Sequence, residues 1–253
     1  METLEDSRLY HRFVINNPRL CFISQNNIPL GIVQELSYGG FSLVPFPQQA
    51  GNLKLLSRKT AGDLNPTVQI TFLDRSITCQ IEERYRSQEK IGYQLSHEQT
   101  EILSFLKEII PWIRSGAALG RLQKLEKEGF PGELPDYLSF DGPIPVEIDW
   151  EGQASDKTPN FSIVLKQDKI LYQLVRKNDR LVTGHNVWPG AESGDIRPTR
   201  LIDPIICRWS LAVLLGLASE SGEGIYSILI NRVLDLYPSI PSENQRHLKV
   251  KTG

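Results

Sequence analysis

A chain of 253 residues with 40% hydrophobic content can bury one large core or two ordinary ones, which excludes a disordered protein. A formal charge of −2 and a pI near 6.1 exclude a role that coats a polyanion by bulk charge, so no nucleic acid is expected as partner and any anion must be met locally. The cysteines, Cys21, Cys79 and Cys207, are odd in number, widely spaced and set among apolar residues, which reads as buried thiols in a reducing cytosol rather than a disulfide framework or zinc site.

The chain starts with Glu2, Glu5 and Asp6 and has no apolar run after them, so no secretory signal is expected and the localisation read here is cytoplasmic. Arg8-Leu-Tyr-His-Arg12 follows. Two arginines at this spacing bring two planar, permanently charged forks to one ligand, each able to pair with a phosphate or with the O6/N7 edge of guanine. Short strand-like segments come next: Arg19 to Ser24, Leu30 to Leu36, Phe41 to Val44, Val68 to Leu73, Ile77 to Glu83 and Ile91 to Leu95. Turn residues separate them at Asn26-Asn27, Gly39-Gly40 and Asp74-Arg75. Val68, Ile70 and Phe72 alternate with Thr67, Gln69 and Thr71, and a period of two predicts half-buried antiparallel strands closing a small barrel. Within this region Glu35-Leu-Ser37-Tyr-Gly39-Gly40 reads as a tight turn offering an acceptor and a hydroxyl beside a backbone that a ligand can approach closely. Pro45 to Pro66 reads as an inserted loop with a short ordered piece at Leu53 to Leu56.

Ser96-His-Glu-Gln99 has the form of a capping box and predicts a helix whose apolar face, Ile102, Leu103, Phe105, Leu106, Ile109 and Ile110, covers the barrel until Pro111 ends or kinks it. A second helical stretch, Trp112 to Glu128, stops at Gly129, and the Pro- and Gly-containing segment 130–135 is the expected domain boundary. Beyond it, Val146 to Trp150, Phe161 to Lys166, Ile170 to Arg176 and Leu181 to Thr183 read as strands. Asp203-Pro204 opens an apolar helix broken at Ser221-Gly222, and Ile225 to Leu236 forms another. The expected division is therefore 1–112 as barrel and closing helix, 113–135 as helical connector, and 136–253 as a second, α+β domain of unassigned role.

The order of the N-terminal parts resembles the PilZ domain family, bacterial receptors for cyclic di-GMP. The resemblance rests on an RxxxR pair, Arg8 and Arg12, ahead of the first strand, on Glu35-x-Ser37-x-x-Gly40 in place of [D/N]xSxxG at a strand turn, and on Ile91 to Leu95 running into a helix. It covers roughly residues 5 to 112. It implies a six-stranded antiparallel β-barrel with a C-terminal helix. It also implies a cyclic di-GMP site made by Arg8 and Arg12, from a leader that orders on binding, together with Glu35, Ser37, Gly39 and Gly40. Tyr10 and His11 lie between the arginines, where an aromatic could stack on a base or anchor to the barrel rim. Glu35 departs from the pattern. Its extra methylene either keeps an acceptor on the guanine edge or overfills the site and repels phosphate, and overpacking of about 1–3 kcal/mol would weaken binding roughly 5- to 150-fold.

Catalysis has no support in the sequence. His11, His97, His185 and His247 are scattered, with none at metal-ligand spacing, and no phosphate loop or dinucleotide fingerprint is present. Glu147 and Asp149 alternate with Val146, Ile148 and Trp150, which puts them on the exposed face of a strand. His185-Asn-Val-Trp188-Pro-Gly190 reads as a loop and a possible recognition element. The expectation is a receptor without enzymatic activity, metal or cofactor. It binds cyclic di-GMP and relays the occupied state to a protein partner through the second domain, without membrane insertion, the longest apolar run, Ser210 to Ala218, being too short to span a bilayer. The alternative is a degenerate barrel that binds no nucleotide and acts as an interaction scaffold.

Overall fold

The computed structural model describes residues 12–15, 17–49, 66–87, 89–95, 99–129, 137–142, 144–151, 160–187, 196–221 and 224–237. The chain divides into two compact units, the first ending at Lys107 and the second running Glu108–Pro238.

The first unit is built on β1 (Phe13–Val14), β2 (Cys21–Gln25), β3 (Ile28–Ser37), β4 (Gly40–Pro45), β5 (Thr67–Phe72), β6 (Arg75–Arg86) and β7 (Ile91–Leu95). They pair in the order β1-β3-β2-β5-β6-β7-β4, and a further β3–β4 pairing closes β2 to β7 into a six-stranded antiparallel barrel with β1 added on β3. Closure removes the sheet edges that a six-strand sheet would otherwise expose. All six predicted strands are present, within a few residues at their ends. β1 is an addition. Asn26-Asn27 joins β2 to β3 with φ of 49° and 62°, a two-residue loop whose twist matches that of the strands. The β5–β6 loop falls on Leu73-Asp74 rather than Asp74-Arg75, and Leu73 takes φ 56° although its side chain disfavours it. Its N–H donates to the Leu20 carbonyl at 2.8 Å, and this bond fixes the loop one residue earlier than composition alone suggests.

Alternation sends Leu36, Phe41 and Tyr93 inward as one cross-strand row, with the Phe41 and Tyr93 rings 5.4 Å apart. Phe72 meets Phe105 edge-on at 5.9 Å and Arg75 lies 5.3 Å over the same ring, so the first turns of the following helix lie against the barrel wall. That helix, α1, is a single element spanning Thr100–Gly129 with Pro111 inside it. Two departures from expectation appear here. The first intrahelical bond runs from Leu103 N–H to the Gln99 carbonyl, so the helix starts after Gln99. The Gln99 amide pairs with the Gln80 main chain in both directions, at 2.6 and 2.8 Å, as another strand would, while Ser96 lies outside the described residues. Pro111 neither ends the helix nor opens a connector: the division between the units falls between Lys107 and Glu108, not at 130–135, and Trp112, Ile113 and Leu119 are buried. The ordered piece expected at Leu53 to Leu56 lies outside the described residues.

The second unit carries a six-stranded antiparallel meander, β8 (Tyr137–Phe140), β9 (Val146–Glu151), β10 (Asn160–Gln167), β11 (Ile170–Lys177), β12 (Arg180–Val187) and β13 (Arg197–Pro198), in the order β13-β12-β11-β10-β9-β8. Two-residue loops with positive φ at both positions, Asp168-Lys169 and Asn178-Asp179, tie β10 to β11 and β11 to β12. Helices α2 (Pro204–Ser221) and α3 (Gly224–Leu236) complete it. Asp203 caps α2, its carboxylate accepting the Ile205 N–H at 2.8 Å. Trp209 stacks on Trp112 at 5.3 Å and meets Tyr172 edge-on at 5.2 Å, joining α1, α2 and the sheet into one core. The Tyr226 hydroxyl donates to Gln123 at 2.7 Å. Glu147 pairs with Lys166, and Asp149 is exposed, as the alternation predicts. His185 does not sit in a loop: it lies in β12 opposite Tyr172 and Arg197, and Trp188 to Gly190 lie outside the described residues.

Candidate functional site

One outward row crosses the barrel wall: Val14 on β1, Glu35 on β3, Ser42 on β4, Gly92 on β7 and Tyr85 on β6 are cross-strand partners in succession. Irregular register flanks both ends of the polar part, between Val33 and Glu35 on β3 and between Glu83 and Tyr85 on β6. Such bulges bend a strand and re-aim the next side chain. The first has a visible anchor, because the Gln34 carbonyl accepts the Ile15 N–H at 2.8 Å and so holds β1, with Arg12 just before it, against β3. At the other end the Tyr85 ring covers Gly92, in the space that a Cβ at Gly92 would need.

Glu35 is the centre of the row. Its Oε2 lies 3.3 Å from the Arg12 guanidinium and accepts the Ser42 hydroxyl at 3.2 Å, while its Oε1 takes Lys90 Nζ at 3.3 Å. Partial burial pushes this carboxyl up, but the Lys90 hydrogen bond and charge, with Arg12 and Ser42, pull it down further, so it stays below its ordinary value and is ionised at neutral pH. Lys90 is placed by a tight turn: the Ser87 hydroxyl accepts the N–H groups of Glu89 and Lys90 at 3.2 and 3.0 Å, and Ser87 N–H donates to the Lys90 carbonyl at 2.9 Å. The next outward row, Ser37, Gly40, Gln94 and Glu82, is also polar, and Arg84 reaches Gln94 at 2.5 Å and Glu82 at 3.4 Å.

Of the residues singled out in the sequence, Arg12, Glu35, Ser37, Gly39 and Gly40 fall on the same stretch of barrel wall, and Arg8, Tyr10 and His11 lie outside the described residues. Three of them have structural duties. The buried Ser37 hydroxyl donates to the Gly40 carbonyl at 3.1 Å, which closes the Tyr38-Gly39 loop, and the Gly39 carbonyl accepts the Leu95 N–H at 3.1 Å. A side chain at Gly40 would land on the Tyr93 carbonyl. Ser42 and Lys90 were not foreseen. Ser42 was within reach, since a two-residue loop between Ser37 and Gly40 puts it opposite Glu35. Lys90 had no local signal, because it meets Glu35 only when β4 pairs with both β3 and β7.

No protein-family description and no curated protein matches this chain. Among solved structures, a crystal structure of an uncharacterized Legionella protein, Lpg0364, is similar over 40% of this chain and 96% of its own, at 15% identity and a TM-score of 0.28. Likeness at that level carries no argument about function. Among the described residues, no group of three or more His, Cys, Asp or Glu could hold a metal ion, and no helix is long and apolar enough to cross a membrane.

Proposed function

We propose that the barrel is a PilZ-like receptor for cyclic di-GMP. It acts in the bacterial cytoplasm, without catalysis, and relays its occupied state to a protein partner through the second unit. The observation that carries this reading is the meeting, on one closed six-stranded barrel, of Arg12, the second arginine of the RxxxR pair, with the Glu35-x-Ser37-x-x-Gly40 turn, so that parts of two of the three sequence features behind the resemblance come together. The buried cysteines Cys21, Cys79 and Cys207 fit a reducing compartment.

Calorimetric titration of the purified protein with cyclic di-GMP and cyclic di-AMP tests it. Guanine presents O6 and N7 acceptors to an arginine fork where adenine presents an amino group, so micromolar or tighter binding with a clear guanine preference is expected. Equal binding of the two dinucleotides would defeat the assignment. Arg8→Ala and Arg12→Ala are each expected to cost about 1–3 kcal/mol of binding. A specific observation favours the scaffold reading instead. Glu35 and Ser37 already bond within the protein, and a barrel that binds neither dinucleotide would be a partner surface only.

A further inference from the structure

Arg12 and Lys90 approach different oxygens of one carboxylate, Oε2 and Oε1 of Glu35, each at 3.3 Å, and the Ser42 hydroxyl donates to Oε2 at 3.2 Å. Ser42 is fully buried beneath them, whereas Arg12 and Lys90 keep 44% and 36% of their side-chain surface open to solvent. A phosphodiester has the features that this cluster recognises: a single negative charge shared over two terminal oxygens that accept from separate donors. Two cations share one carboxylate, so the cluster by itself is left with an unbalanced positive charge. Both cations are held from behind. Arg12 precedes a strand fixed to β3 by its register, and Lys90 leaves a turn closed by Ser87. Little side-chain or loop ordering would then remain for an anion that replaces the carboxylate.

We propose that Arg12 and Lys90 form a two-cation cradle for a phosphodiester group, occupied in the ligand-free protein by the Glu35 carboxylate, which the ligand displaces. The inference rests on the receptor reading above and deepens it. It adds Lys90 as a direct ligand contact and makes Glu35 an internal competitor. In the displaced state the carboxylate swings out toward solvent, and no covalent bond changes.

The test titrates cyclic di-GMP, cyclic di-AMP and inorganic pyrophosphate into the full chain and its Glu35→Gln, Lys90→Gln and Glu35→Gln/Lys90→Gln variants at one fixed salt concentration, with ligand-free melting curves as the folding control. Glu35→Gln keeps an acceptor oxygen but loses the competing charge, and is expected to tighten cyclic di-GMP about tenfold. Lys90→Gln is expected to weaken it about tenfold or more, and in the double variant the gain from Glu35→Gln should shrink because its beneficiary is gone. If cyclic di-GMP binds and neither single substitution alters its affinity, the cradle is overturned while the receptor reading stands. If Glu35→Gln instead confers Lys90-dependent binding of all three anions without guanine preference, the cradle stands and the guanine receptor falls. Failure of every variant to bind any of the three overturns both.

Discussion

At the scale of single residues, the ionised Glu35 ties the barrel to pH. Its carboxyl sits below the ordinary value of 4.5 in the folded protein, because Lys90, Arg12 and Ser42 outweigh the upward push of partial burial. A group with a lowered folded value stabilises the fold at pH above its unfolded value, and that contribution is lost as pH falls through the folded one. The melting temperature of the wild type should therefore exceed that of Glu35→Gln at neutral pH and converge with it once the pH has fallen below the lowered folded value of Glu35. The whole effect should lie within about 1 kcal/mol, since both cations are partly solvated, and it should shrink in high salt. A gap that persists unchanged at acid pH would mean that the carboxylate is not the stabilising group. Gly40 makes a sharper demand. An alanine Cβ there meets the Tyr93 carbonyl, which is backbone in a paired strand and cannot rotate away, so Gly40→Ala should cost about 1–3 kcal/mol in the absence of any ligand. Thermal melts of the ligand-free variant check this, and an unchanged midpoint would show that the strands separate easily. Gly40 thus has a structural reason independent of any ligand.

At the scale of elements, helices α1 and α2 touch through glycine. A Cβ at Gly116 would meet the Val213 backbone, and one at Gly216 would meet the Ile113 carbonyl. Glycine permits this approach by having no Cβ, at a propensity cost of about 1 kcal/mol against alanine. In an unpacked helix Gly→Ala should stabilise by that amount. Here the sign reverses: Gly116→Ala and Gly216→Ala should each destabilise by about 1–3 kcal/mol in urea melts, because backbone meets the new methyl. A stabilised variant would show that the helices can move apart freely. The elements themselves were largely legible in sequence, for reasons that differ from case to case. Val68, Ile70 and Phe72 alternate so regularly that β5 could be read off within a residue, and Asp203-Pro204 located the start of α2 because cap and first turn are local chemistry. β1 was missed because two residues have no period, and its pairing with Leu36 and Glu35 is a long-range fact. The break at Pro111 was misread for a related reason. Losing one N–H donor argues for a helix end, but Ile109, Ile110, Trp112 and Ile113 are all buried on either side of it, and that packing outweighs the missing bond. The candidate site divides the same way: Arg12, Glu35 and Ser37 announced themselves by spacing, while Lys90 depends on barrel closure.

At the scale of the whole molecule, the position of the boundary becomes an experiment. The Pro- and Gly-containing stretch after Gly129 looks like a linker by composition, and a fragment designed from it would begin near Asp136. That fragment would lack Trp112, whose ring stacks on Trp209, and Gln123, whose amide oxygen accepts the buried Tyr226 hydroxyl. It would also lack Ser115, which bonds the Ile144 carbonyl at 3.0 Å. Truncating a single buried aromatic to alanine costs about 3–5 kcal/mol, and a domain is stable by about 5–15, so removing several such contacts together exceeds the margin. A fragment covering 108–238 keeps all of them. The expectation is a cooperative thermal transition for 108–238, and for 136–238 no cooperative transition or aggregation, both followed by circular dichroism. The thiols offer a second readout. Cys207 is fully buried in the second unit, so it should resist a thiol reagent in the longer fragment and react at once in the shorter. If 136–238 unfolds cooperatively with Cys207 protected, the residues of α1 are dispensable to the second core and the boundary belongs after Gly129.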